Sequence, residues 1–394
     1  MNILWIPHSP SEPGAHRRDQ YFIERLKDRH NIVTLTWETW STGGRLKAYF
    51  EGMQFYKLDE VAGQTCYHVR RIPDFLKPFR KQDYDTVNIN EKFFREDILK
   101  VIALENIDMV VAGPSSFMTG YPPFDLSIPF VFDYLDCADW EARPDHPEIT
   151  YVREADAVLS VSSIAQERAE KFGKPAMLLP NGADVARFQQ ADGAAVRKKL
   201  GLEDAQVVSL IGLTCSPRLY FLDSIREARK TLPNLKCLLV GKSDAIEARL
   251  ADMPDADDLF VYTGPVPYEE IASYFAASDV GMYPVDEAIY YDAASPIKLF
   301  EYTAAGKPVV VPRIREAVRM GFSNFVFAGP DAKPYAEGIV DAFNNPPAVT
   351  PGEVDPYDWQ HLTDELDSFL KKVQVDFQSG KLSQRAATSL EAES

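Results

Sequence analysis

Two residues of opposite charge, Lys298 and Glu301, stand three apart in the stretch SPIKLFEYTAAGKPVVV (295–311), and on a helix that spacing places them on one face. A cation one turn from a carboxylate meets the needs of a nucleotide sugar: the ammonium faces phosphate oxygens, and the carboxylate accepts hydrogen bonds from two ribose hydroxyls. The same spacing also describes an ordinary exposed Lys/Glu pair on a surface helix. Both ends of the helix are punctuated. Ser295 suits the N-cap, Pro296 the first helical position and Gly306 the position just past the last turn. A helix starting there offers the amides of Ile297 and Lys298, with the positive end of the macrodipole, to a diphosphate.

A helix that presents such a pair must be held against a sheet, and the chain alternates short apolar runs with longer amphipathic stretches almost throughout, the pattern of βα units. Strands are expected at 2–6, 32–36, 108–112, 130–132, 157–161 and 177–179, with helices at 17–27, 91–105 and 164–172. The region 38–85 is less regular and reads as insertions or β-ribbon. The pattern then starts afresh, with strands at 206–213, 235–240, 259–262, 280–283 and 308–311 and helices at 221–231, 245–251, 268–277 and 296–305. The 394 residues exceed one core, and the expected fold is α/β: two doubly wound Rossmann-like domains facing a central cleft. The first covers 1–185 and the second 200–350, with the join between the Asn181-Gly182 turn and Gln206. An amphipathic helix at about 356–373, carrying Trp359, Leu362, Leu366 and Phe369 and expected to cross back onto the first domain, follows, and the tail 374–394 reads as polar and disordered. Ligands in doubly wound sheets bind beyond the carboxyl ends of the strands.

Composition narrows the partners. A formal charge of -17 excludes nucleic acid as the main one. No 18-residue apolar run is present, the N-terminus lacks the marks of a signal peptide, and Cys66, Cys137, Cys215 and Cys237 fall singly, so a cytoplasmic protein with reduced thiols and no resident metal is expected. The segment HVRRIPDFLKPFRK (68–81) interleaves cations with aromatics. It fits a peripheral contact with an anionic membrane face or a lipid-linked acceptor, or a solvated loop. Two Asp-x-Asp pairs, Asp83/Asp85 and Asp255/Asp257, lie in polar stretches and read as solvated loops rather than metal ligands.

The segment 295–311 closely resembles the signature helix and strand of family 4 glycosyltransferases of the GT-B fold, in the subgroup reading P-x-K-x-x-E-Y followed by A-A-G-K-P-V-V. The stretches EADAVLSVSSIAQERAEKFG (154–173), LPNGAD (179–184) and VYTGPVPYEEIASYFAASDVGMYPV (261–285) extend the likeness over most of 150–312. The resemblance implies a retaining, metal-independent transfer from a nucleotide diphosphate-sugar to a glycan, glycolipid or small-molecule acceptor, with no cofactor and a place in polysaccharide biosynthesis. It makes Glu301 the ribose carboxylate and Lys298 a phosphate contact, with Ser295 and Ile297 beside them. It also puts Gly264, Pro265 and Val266 next to the nucleobase and Gly14 and Ala15 where the donor phosphates approach the first strand. Trp359 resembles an aromatic found where the chain crosses back onto the first domain.

The departures from the family pattern lie within the same motifs. Ala293 stands where many members have a first glutamate, leaving Asp292 as the neighbouring candidate for the donor sugar. Leu213 follows Gly212 where many have an arginine, leaving Arg218 as the nearest cation. VFDYLDCADW has Asp133 and Asp136 where a histidine is common, and Asp136 is the expected acceptor-side catalytic residue, orienting the acceptor hydroxyl or acting as its base. A catalytically inactive nucleotide-sugar scaffold or sensor, and a sugar-nucleotide epimerase, are the competing expectations.

Overall fold

The computed structural model describes residues 1–8, 17–37, 57–61, 64–69, 83–113, 126–144, 146–212, 218–286 and 289–382. The chain divides into two compact units, one comprising Met1–Leu179 and the chain from Thr363 onward, the other Pro180–Leu362. The division falls ahead of the Asn181-Gly182 turn rather than after it. The short helices Val185–Gln189 and Ala194–Leu200 bury Val185, Phe188 and Val196 in the second unit's core, and this draws the residues after the turn into that unit.

The first unit is an eight-stranded sheet of β1 (Asn2–Ile6), β2 (Asn31–Trp37), β3 (Lys57–Val61), β4 (Gln64–Val69), β5 (Met109–Ala112), β6 (Phe130–Tyr134), β7 (Ala157–Ser160) and β8 (Ala176–Leu178). Its order is β3-β4-β2-β1-β5-β6-β7-β8. Every pairing is parallel except β3 with β4, which makes the ribbon expected in the irregular region. Ile3, Leu4, Trp5, Val110, Val111, Val131 and Phe132 are wholly buried, as strands covered on both faces must be. The helix expected from residue 91 starts a little over two turns earlier and runs Asp83–Glu105.

The second unit is a wholly parallel six-stranded sheet of β9 (Gln206–Ile211), β10 (Leu235–Val240), β11 (Phe260–Tyr262), β12 (Val280–Met282), β13 (Val309–Val311) and β14 (Phe325–Phe327). Its order is β11-β10-β9-β12-β13-β14. The chain winds outward from β9 in one direction and then from β12 in the other, so β9 and β12 flank the point where strand order reverses, where such sheets open a crevice. Strand β14 is absent from the sequence reading.

The C-terminal helix is longer than expected. It runs Trp359–Gln378 after a single 3-10 turn at Asp355–Tyr357, so the expected tail from Gln374 begins inside it. Its first residues belong to the second unit. There the Ala183 amide donates to the Tyr357 carbonyl at 3.0 Å and the Trp359 amide to the Ala183 carbonyl at 3.1 Å. Gly182 is required at this crossing, because a Cβ would lie 2.2 Å from the Tyr357 oxygen. From Thr363 the helix belongs to the first unit, where Asp367 holds the His30 Nε2 at 2.8 Å. Among the described residues no helix is long and apolar enough to cross a membrane.

Candidate functional site

At the carboxyl edge of the second sheet, three strands end in glycines with positive φ: Gly212 after β9, Gly241 after β10 and Gly264 after β11. The Gly212 amide donates to the Val240 carbonyl at 2.8 Å and the Gly241 amide to the Gly264 carbonyl at 2.9 Å, which ties the edge into one row. Gly212 has φ +83°, and a Cβ on it would sit 2.5 Å from Lys298 Cε. The lysine stem therefore crosses the bare backbone beyond β9, at the switch point. Its ammonium lies 2.8 Å from Glu301 Oε2 and 5.6 Å from the centroid of the Phe275 ring. The Glu301 side chain is 3% exposed and that of Lys298 29%, so the carboxylate forms the floor of the site and the cation its accessible side.

The helix carrying this pair, Ile297–Ala304, is fixed by its other face. Tyr302 is wholly buried, donates its hydroxyl to the Ser209 carbonyl of β9 at 2.9 Å, and lays its ring where a Cβ on Gly281 of β12 would stand. Both strands at the switch point thus hold Tyr302, and Glu301, one residue earlier, has little freedom. At the helix's start, Leu299 makes the first backbone bond, to Pro296 O at 3.1 Å, leaving the Ile297 and Lys298 amides ahead of it. Pro296, expected at the first helical position, occupies the N-cap, so the helix starts one residue later than expected, and Ser295 is used elsewhere. Its buried Oγ accepts the Asn181 amide at 3.1 Å, so the residue fastens the 180–184 turn and does not cap the helix. Gly306 follows the last turn with φ +66°, as its type predicts.

The remaining second-unit candidates separate. Asp292 accepts the Arg315 amide through Oδ1 and so caps the helix Arg315–Met320, which takes one of its oxygens away from any sugar contact. Ala293 is 1% exposed. Arg218 is paired with Asp286, beyond the end of β12, and lies 6.0 Å from the Tyr291 ring centroid. Past Gly264, Pro265 is exposed and Val266 packs partly on the core. Asp255 is held by Arg226 Nε at 2.9 Å. Among the described residues no three His, Cys, Asp or Glu side chains form a cluster fit for a metal.

In the first unit, Asp136 lies past the end of β6, 3.5 Å from the Nε2 of His8, which lies past the end of β1; their side chains are 45% and 37% exposed. Gly113, past β5, allows this: a Cβ there would lie 3.1 Å from the His8 backbone nitrogen. His8 is absent from the sequence reading, although the carboxyl end of the first strand is where ligands of such sheets are sought. Asp133 is instead buried at 1% exposure, 3.4 Å from Arg18 Nη2, and burial pushes its carboxyl above the usual range despite the guanidinium. The loop bearing Asp136 is shaped by a buried carboxylate, Glu148. It accepts the Ala138 amide at 2.9 Å, the Trp140 indole N–H at 2.5 Å and the Arg168 guanidinium at 3.1 Å, as well as the Tyr134 hydroxyl. Gly14, Ala15 and residues 70–81 of the basic aromatic segment lie outside the described residues.

Comparison with known proteins bears on both units. The family described as glycosyl transferases group 1 matches residues 216–345. A Bacillus subtilis protein named as a candidate glycosyltransferase of teichuronic acid biosynthesis is 28% identical over 181 residues, 44% of each chain. The D-inositol 3-phosphate glycosyltransferase of Geodermatophilus obscurus is 27% identical over 244 residues, 55% of this chain and 52% of its own. The chain spans about half the length of the curated relatives it matches. Among solved structures, sucrose-phosphate synthase from Thermosynechococcus elongatus superposes with a TM-score of 0.64 at 16% identity, covering 97% of this chain and 98% of the other. Anabaena HepE, solved with UDP and glucose, gives 0.62 at 15% identity over 94% and 100%. At these identities the likeness is one of fold.

Proposed function

We propose that this chain, a group 1 glycosyltransferase of the GT-B fold, moves a glycosyl group from a nucleoside diphosphate sugar to an acceptor hydroxyl, with the donor held by the second unit. The observation that carries this reading is the Lys298–Glu301 pair laid over Gly212 at the switch point. Cleaving the donor throws negative charge onto the leaving diphosphate, and preorganised donors aimed at that charge lower the barrier. Lys298, the amides of Ile297 and Lys298, and Arg218 supply them. Glu301 takes the ribose hydroxyls, and Gly264, Pro265 and Val266 line the base. A transfer of this kind runs without a metal and keeps the donor's anomeric configuration.

In the first unit, Asp136 and His8 address the acceptor. The carboxylate and imidazole together can accept a proton or a hydrogen bond from a sugar hydroxyl. The acceptor is a growing glycan or its lipid-linked precursor, a reading that draws on the name of the Bacillus subtilis relative. Uridine nucleotides are the first donors to try, because HepE was solved with UDP.

The test is a thermal-shift and calorimetric screen against UDP, GDP, dTDP, ADP and CMP and their sugars, with and without a chelator. One nucleoside diphosphate is expected to bind in chelator, and its sugar to be consumed once a suitable acceptor is present. A folded protein that binds none of them removes the donor assignment; one that binds but never consumes a sugar is a nucleotide-sugar binding protein and not a transferase.

A further inference from the structure

Each cation assigned to the donor phosphates stands beside a carboxylate. For Lys298 that carboxylate is Glu301, whose place on the ribose gives it work of its own. For Arg218 it is Asp286, which the reaction above does not use. Nor does the fold need this ion pair. Arg218 donates its amide to the Pro284 carbonyl at 3.1 Å, and the Tyr220 hydroxyl donates to the Val285 carbonyl at 3.1 Å, so the start of the helix Tyr220–Arg229 and the loop leaving β12 are joined by two bonds to main-chain oxygens that survive without it. The paired side chains are 52% and 37% exposed, a setting in which an ion pair contributes little to stability. The other carboxylate oxygen, Oδ1, is shielded from solvent and has no hydrogen-bond partner, so the aspartate is only half satisfied where it stands. Beyond the strands that flank the switch point, a carboxylate on the guanidinium competes with an incoming diphosphate for the same N–H donors and cancels part of the field that would draw it in.

We propose that Asp286 is the resting counter-ion of Arg218: it holds the guanidinium beside the switch point in the absence of donor and yields it to the diphosphate on binding, thereby setting the affinity of the site for anions. This rests on the donor reading. Asp286 is a positioning residue, acting through Arg218 and touching no substrate. Because binding must first break the pair, removing the carboxylate tightens binding, opposite to the effect expected if Asp286 itself held the ligand.

The experiment measures calorimetric affinities for UDP, GDP, dTDP and ADP with the full chain and with Asp286→Asn, Arg218→Met and the double variant, at low and high salt. Asp286→Asn is expected to tighten the preferred diphosphate about three- to fivefold. The gain shrinks at high salt, where exposed charges are screened, and disappears in the Arg218→Met background. Asp286→Ser repeats the comparison with a second side chain that lacks the charge. Unchanged or weaker binding in both Asp286 variants, or a gain that persists without Arg218, overturns the counter-ion role while leaving the donor site standing. If none of the four diphosphates binds the wild-type chain, the donor reading falls and this inference with it.

Discussion

Beyond β9 and β12 the second unit lays a lysine over a glycine, Lys298 on Gly212, whereas beyond β1 and β6 the first unit sets an imidazole against a carboxylate, His8 facing Asp136. Both sheets are doubly wound and reverse their strand order once, so topology supplies a crevice in each. What differs is the charge at the edge. The second unit offers cations and helix amides, fitted to an anion; the first offers proton acceptors, fitted to a hydroxyl. Within each unit charge is buried unevenly. Glu301 and Glu316 of the second unit each lie within hydrogen-bond reach of a cation three residues away, Lys298 and Arg319. In the first, Asp97 has a buried oxygen without a hydrogen-bond partner, its nearest cation Lys100 being 3.9 Å away. The second unit has such atoms too, a shielded oxygen on each of Asp255 and Asp286, and the first holds Glu148 with four donors, so unpaired buried charge belongs to single sites in both units.

The sharpest way to break the comparison is to remove the floor of the anion site. Glu301→Ala is expected to cost about 2 to 4 kcal/mol in donor or transition-state binding, roughly 30- to 1000-fold in kcat/KM, because charged hydrogen bonds to ribose are lost. A loss smaller than twofold would remove the ribose assignment. On the other unit, Asp136→Asn is expected to lower transfer by about 100-fold while leaving nucleoside diphosphate affinity unchanged. Should both fall together, the division of labour between the units is wrong. A smaller effect comes from Gly212→Ala. The added methyl strains a residue at φ +83° and displaces the Lys298 stem, so diphosphate affinity is expected to drop about tenfold, with Lys298→Met giving a similar loss.

How far the sequence announces all this follows the physics of each feature. Strands covered on both faces declare themselves as unbroken apolar runs, so β1 and β10 start and end where they are expected. Strand β14, Phe325–Phe327, lies at the edge of the sheet with two of its three residues only partly buried, so no fully covered apolar run marks it. The Lys298–Glu301 pair is legible because three-residue spacing is a local property of a helix. The pairing of His8 with Asp136 is not, since it joins residues 128 apart through the order of strands. Ser295 shows the limit of local rules. Its type suits a helix cap, yet the 180–184 turn claims its hydroxyl and the cap moves to Pro296.

The smallest effect concerns the uneven burial of charge and is read in stability rather than turnover. Burial pushes the Asp97 carboxyl up to about 7 from its ordinary 3.8, with only Lys100 to oppose it. A carboxyl raised in the folded state holds a proton that the unfolded chain has already released, so its contribution is most favourable below the unfolded value and is lost as pH rises through the folded one. The first unit should therefore weaken between about pH 4 and pH 7 from this group, and Asp19, raised to about 6 by burial, adds in the same direction. Asp97→Asn keeps the shape and removes the charge. It is expected to stabilise the protein at about pH 8 by roughly 1 kcal/mol, the low end of the cost of a buried unsatisfied polar group, and to have no effect at about pH 2.5, well below the unfolded value, where both states of the wild type carry the proton. Denaturant unfolding at the two pH values reads the difference. An equal effect at both would mean that ionisation of Asp97 is not its cause.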